Sequence, residues 1–170
     1  MDAQKMAETK PVKVAIVGYG GMGKWHTGKL DKCEAVECAG IVDIKEDRKE
    51  LAREKGRRVY RDLEELLEDD EVKLVTVATP NHLHKELSIR LMEHGKNVIC
   101  EKPVALSMES LERMIAAAEK NGVHYYPILV NHEKESWDEA IAVAFGKLQT
   151  GEYAEYGAAK KQEFLKNLGG

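Results

Sequence analysis

Residues 12–23 read VKVAIVGYGGMG. A nearly continuous apolar run such as Val12–Val17 is what a strand buried on both faces of a parallel sheet requires. It breaks on Gly18, and a short helical pattern follows at once, roughly Met22 to Leu30. A buried strand that turns into a helix within a few residues, on glycines, opens a strand–helix–strand unit. That start restricts the chain to an α/β architecture.

The rest of the chain repeats the alternation. Ala35–Val42 reads as a second strand, followed by a charged helix that ends before Gly56. Arg58–Tyr60 is a brief third strand, and Leu63, Leu66 and Leu67 give the next helix its apolar face. Lys73–Ala78 is the fourth strand. Thr79 and Pro80 then look like a helix start, with threonine as N-cap and proline at the first helical position. Leu83, Leu87 and Leu91 mark one face of that helix, and Asn97–Cys100 is the fifth strand. Leu111, Met114, Ile115 and Ala118 keep the i, i+3, i+4, i+7 spacing of a helix, which closes at Asn121-Gly122. Val123–Val130 reads as a sixth strand. The expected fold is a doubly wound parallel sheet with helices on both faces, the Rossmann arrangement.

The motif G-x-G-x-x-G falls at Gly18, Gly20 and Gly23. It sits in the context that gives it meaning, after a buried strand and at the start of a helix. There the first glycine permits the turn, the second lets backbone approach a pyrophosphate, and the third allows close helix–strand packing. Gly21 and Met22 complete the loop. Asp43 ends the second strand, with Ile44 next to it, and its carboxylate is placed to accept from ribose hydroxyls. The same charge would repel a 2′-phosphate, so NAD is favoured over NADP, with Lys45 and Arg48 nearby to soften the choice. Two more turns lie at strand ends, where ligands bind in such folds: Thr79-Pro80-Asn81-His82-Leu83-His84 and Glu101-Lys102-Pro103.

Composition removes other classes. The formal net charge is -4, which lacks the basic footprint of a nucleic-acid binder. No apolar run reaches a membrane span, and the opening MDAQKMAETK has no apolar core of a signal peptide. Cys33, Cys38 and Cys100 are odd in number and lack metal-binding spacing, so a reduced, cytoplasmic protein with no metal site is expected.

Taken together, G-Y-G-G-M-G followed by His26, then A-T-P-N-H-L-H, then H-G-K-N-V-I-C-E-K-P-V-A resemble the Gfo/Idh/MocA-type oxidoreductases over about Val12 to Val130. The resemblance implies that Glu101-Lys102-Pro103 lies beside a nicotinamide and that Lys102 contacts a substrate hydroxyl and assists proton transfer. It implies that Thr79, Asn81 and His84 line the nicotinamide side, and that the substrate is a sugar or polyol. Lys102–Pro103 is a candidate cis bond. A cation at a developing alkoxide lowers the barrier to alcohol oxidation, which suits a lysine there. His26 reads as a packing and hydrogen-bonding residue.

The expected organisation is a disordered lead-in at 1–10, the dinucleotide-binding domain at 11–130 and a helical C-terminal extension at 131–170. The extension reads as the remnant of a crossover to a substrate domain that is absent. The family's second domain supplies an Asp-x-x-x-His motif, and no such spacing follows Val130. Two alternatives therefore stand beside the dehydrogenase: a non-catalytic NAD-binding regulatory module, and a partner-assembly protein forming a homo-oligomer through its C-terminal helices. Trp137, Ile141, Phe145 and Leu148 motivate the last.

Overall fold

The structure is a computed structural model that describes residues 10–127. The chain divides into two compact units, 1–129 and 130–170, and every element below belongs to the first. Residues 1–9 of the lead-in expected at 1–10, and the extension with its Trp137–Leu148 stripe, lie outside the described residues.

Five strands are joined by helices: β1 (Val12–Val17), α1 (Gly21–Leu30), β2 (Val36–Val42), α2 (Glu46–Glu54), α3 (Leu63–Leu67), β3 (Val72–Val77), α4 (His84–Glu93), β4 (Asn97–Cys100), α5 (Met108–Asn121) and β5 (Tyr125–Pro127). All neighbours pair in parallel, in the order β2-β1-β3-β4-β5. The chain therefore runs from β1 to one side and then back past it to the other. That reversal opens a crevice at the carboxyl ends of β1 and β3, where α/β sheets bind ligands. Burial explains the apolar runs: Val14, Ala15, Ile16, Val75, Val77 and Val98 are all enclosed. Leu66, Leu91, Met92 and Met114 cover one face of the sheet.

The helix ends follow local chemistry. Ser107 caps α5 by accepting from the Ser110 amide at 3.1 Å, and Gly122 closes it in the left-handed region at φ 63°. Asp62 caps α3 by accepting from the Glu65 amide at 2.9 Å. These are the side chains expected at such ends.

Three expectations need correction. Arg58–Tyr60 is a single bridge between Val59 and Ile41, held by two backbone hydrogen bonds of 2.9 Å, before the chain turns into the Asp62 cap. It occupies the place of an edge strand but is too short to be one. The helix after β3 does not start on Thr79. Pro80 is extended at ψ 143°, a 3₁₀ turn spans Asn81–Leu83, and the α-helix proper begins at His84. The buried face of α4 is His84, Ser88, Leu91 and Met92, with Leu83 and Leu87 only half-buried. Leu91 is enclosed and Leu87 packs against the core, but two polar side chains, His84 and Ser88, take core positions that apolar spacing alone does not reveal.

Among the described residues, no helix is long and apolar enough to cross a membrane.

Candidate functional site

The four turns that follow β1, β2, β3 and β4 meet at one end of the sheet. The glycine loop is fastened first. The Gly18 amide donates to the Val42 carbonyl at 2.8 Å, which draws the loop to the end of β2. Gly18 has φ 96°, and a Cβ there would lie 2.7 Å from the Ala78 carbonyl oxygen. A Cβ on Gly23 would fall 1.9 Å from the Gly18 oxygen. Both glycines are therefore required by the protein's own packing. Gly20 is different. Its φ is -77°, and the first atom its Cβ would meet is Arg48 Nη1 at 3.6 Å. Around a Cβ on Gly21 nothing lies within 4 Å. The fold does not need a bare backbone at these two positions, whereas a ligand pressed against the loop does.

Helix α1 begins at this point, and no side chain caps it and no acid stands in its first turn. Its leading N–H groups and the positive end of its dipole favour an anion. Met22 is half-buried beside them.

Asp43 closes the loop from the side. It is 6% exposed, and its oxygens accept from Tyr19 N at 2.6 Å, Lys45 N at 2.9 Å and Arg48 Nη1 at 3.3 Å. Burial pushes its pKa up, but the backbone and guanidinium donors outweigh burial and hold it below the usual carboxylate range. It is ionised at neutral pH, and its position is set by the same loop whose amides it accepts. Ile44, the next residue, is 91% exposed at the strand tip. The part played by the buried Tyr19 amide has no sequence signal. Arg48 lies between Asp43 and Gly20, close to both.

The turn after β3 packs on the glycine loop through the Ala78 carbonyl. Thr79 Oγ1 is buried there without a hydrogen-bond partner in the protein. An enclosed hydroxyl left in that state is unfavourable, and a bound polar ligand would relieve it. Asn81 is exposed on the same turn. His84 is fully buried, with Nδ1 2.9 Å from the Pro103 oxygen and Nε2 2.8 Å from the Thr79 oxygen. It fastens the β3 turn to the β4 turn.

The turn after β4 holds Glu101 buried and Lys102 exposed, and the Lys102–Pro103 bond is cis. Glu101 Oε2 accepts from Lys102 N at 3.1 Å, and Oε1 is 2.6 Å from His26 Nε2 on α1. The sequence points to Glu101 and to His26 separately, and only the fold pairs them. Among the described residues, no group of three His, Cys, Asp or Glu side chains is placed to hold a metal ion.

A dinucleotide fits this set. The unneeded bareness of Gly20 and Gly21, the uncapped start of α1 and the orphaned Thr79 hydroxyl each leave a place for a polar ligand. The fixed anion at Asp43 gives that ligand's hydroxyls a partner.

Comparison with known proteins agrees. Residues 12–129 match the model of the Gfo/Idh/MocA "Oxidoreductase family, NAD-binding Rossmann fold". An uncharacterized oxidoreductase of Streptococcus pneumoniae is 40% identical over 114 residues, covering 67% of this chain and 31% of that protein. The myo-inositol 2-dehydrogenase of Thermotoga maritima is 32% identical over 114 residues, covering 66% of this chain and 34% of that one. The solved structure of GenD2 from gentamicin A biosynthesis, in complex with NAD, superposes with a TM-score of 0.66 at 36% identity, over 70% of this chain and 34% of GenD2. The chain thus spans about a third of the length of the relatives it matches. With the glycine loop, the acid at the end of β2 and the Glu-Lys-Pro turn all in one crevice, the chain belongs to the Gfo/Idh/MocA oxidoreductase family and carries its NAD-binding Rossmann domain.

Proposed function

We propose that this domain serves an oxidoreductase acting on a sugar or cyclitol hydroxyl, with NAD(H) lying along the strand tips. The first turn of α1 and the loop Gly18–Gly23 take the diphosphate, and Asp43 takes the adenosine ribose. Thr79, Asn81 and the Glu101-Lys102-Pro103 turn face the nicotinamide end, and His84 acts through the two turns it joins. When bound, the nicotinamide supplies the hydride acceptor. The protein's own contribution is to place Lys102 where its charge stabilises an alkoxide as the hydroxyl proton leaves. The three free cysteines, Cys33, Cys38 and Cys100, fit a reducing, cytoplasmic setting.

The observation that carries the reading is Asp43. A buried, ionised carboxylate fixed in place by the Tyr19 and Lys45 amides still has acceptor capacity beyond its protein partners, and that capacity suits a ligand hydroxyl at the strand tip. It also favours NADH over NADPH, since a 2′-phosphate would face that charge. No specific observation favours the non-catalytic module or the partner-assembly protein.

Titration with NADH and NADPH tests the cofactor assignment. Saturable binding, tighter for NADH and lost in Gly20→Val while the thermal melting point holds, is expected. Failure of both nucleotides to bind overturns it. NADH production across a panel of polyols, compared between wild type and Lys102→Ala, tests the lysine. Lys102 is exposed, so the variant should fold normally and still bind NADH. Turnover that survives the change would remove the assignment.

A further inference from the structure

The Lys102 turn is suspended from helix α1 by one carboxylate. Both oxygens of Glu101 are committed: Oε2 to the Lys102 amide at 3.1 Å and Oε1 to His26 Nε2 at 2.6 Å. The His26 and Glu101 side chains are 1% and 5% exposed. His26 stands three residues after Gly23 on the helix whose first turn faces the diphosphate. The pair joins residues 75 apart in the chain, and it ties the diphosphate end of the crevice to the Lys102 end.

Stability is a poor reason for such a pair. Enclosing a histidine–carboxylate contact gives up so much hydration that an apolar pair of equal volume holds a helix to a strand at least as well. What the contact adds is direction. A carboxylate held through both oxygens cannot turn about its bonds, so the peptide it holds keeps one orientation relative to α1.

We propose that His26 and Glu101 are positioning residues that set the distance between the diphosphate loop and the Lys102 turn, so that the nicotinamide half of the dinucleotide meets its contacts already in place. The inference rests on the reading of that turn as the nicotinamide side. His26 touches no ligand in this scheme and acts through Glu101.

ADP-ribose supplies the test, because it carries the adenosine and diphosphate without the nicotinamide. Wild type, Glu101→Gln and His26→Ala are titrated with NADH and with ADP-ribose. A glutamine at 101 keeps the volume but accepts from only one of the two donors, so it is the gentler variant. The expected result is ADP-ribose affinity within about twofold of wild type, with the advantage of NADH over ADP-ribose reduced about tenfold, the scale of one lost hydrogen-bonded contact. A purely structural pair would lower both affinities in parallel, and that result overturns the proposal. So does an unchanged ratio, a wild type that binds NADH no tighter than ADP-ribose, or a Glu101→Gln protein that cannot fold. If His26→Ala alone fails to fold, Glu101→Gln decides. A wild type that binds neither ligand overturns the proposed function itself, which separates the two failures.

Discussion

The two ends of the crevice are built by opposite means. At the glycine loop, the chain shapes the site by leaving side chains out. Gly18 and Gly23 let backbone segments touch, Gly20 and Gly21 stay bare, and Asp43 is fixed mainly by amides of Tyr19 and Lys45. At the Lys102 turn, the chain shapes the site by burying polar side chains brought from elsewhere: His26 from α1, and His84 from the start of α4. The first end depends on backbone conformation and on backbone groups, including those that meet it from the ends of β2 and β3. The second depends on long-range side-chain bonds, and each of those exposes the structure to an unpaired buried group if a partner is lost.

The largest effect that could break this contrast is Gly23→Ala. Its Cβ would sit 1.9 Å from a backbone oxygen, so the loop or α1 must move. We expect a loss of more than ~3 kcal/mol in denaturant unfolding, at or beyond the upper end of overpacking effects, together with loss of NADH binding. A small loss would mean that the loop is soft, and the contrast would fail at its firmer end. Asp43→Asn comes next. It removes an ionised acceptor, so NADH affinity should fall by ~10- to 100-fold, the range for one charged hydrogen bond.

The same variant carries a pH prediction. The pKa of Asp43 lies below its ordinary value of 3.8 in the folded protein. A depressed carboxylate contributes stability that is present above the unfolded pKa and disappears as pH falls through the folded one. Stability of the wild type should therefore drop as the pH is taken below about 3.8, and Asp43→Asn should flatten that part of the curve. Parallel curves in acid unfolding would remove the claim that the loop amides stabilise the charge.

The smallest effect sharpens the other end. Thr79→Val replaces an unpartnered buried hydroxyl with a methyl of similar size. The ligand-free protein should gain up to ~1 kcal/mol in thermal or denaturant unfolding, while NADH binds more weakly. If stability falls instead, the hydroxyl has a partner in the protein and is not waiting for a ligand.

The sequence made the first end readable because its signals are local. VKVAIVGYGGMG specifies strand, turn and helix within a few residues, and Asp43 follows from where β2 must end. The parallel sheet was readable for the same reason, since enclosed strands demand continuous apolar runs such as Val14–Val17 and Val98–Cys100. Errors arose where a polar residue took a buried place. His84 and Ser88 share the buried face of α4 with Leu91 and Met92 and leave Leu83 and Leu87 half-buried, and Pro80 delays a helix that Thr79 would otherwise cap.

The amino-acid order alone determined the α/β sheet, the glycine-lined loop and the acid beside it, because each is fixed by torsions and burial over short stretches. Only the tertiary structure decided that Glu101 joins His26 and that His84 spans Thr79 and Pro103. A polar pair inside a protein follows no period along the chain. Its strength comes from distance and alignment, and those exist only once the separate strand ends have been brought together.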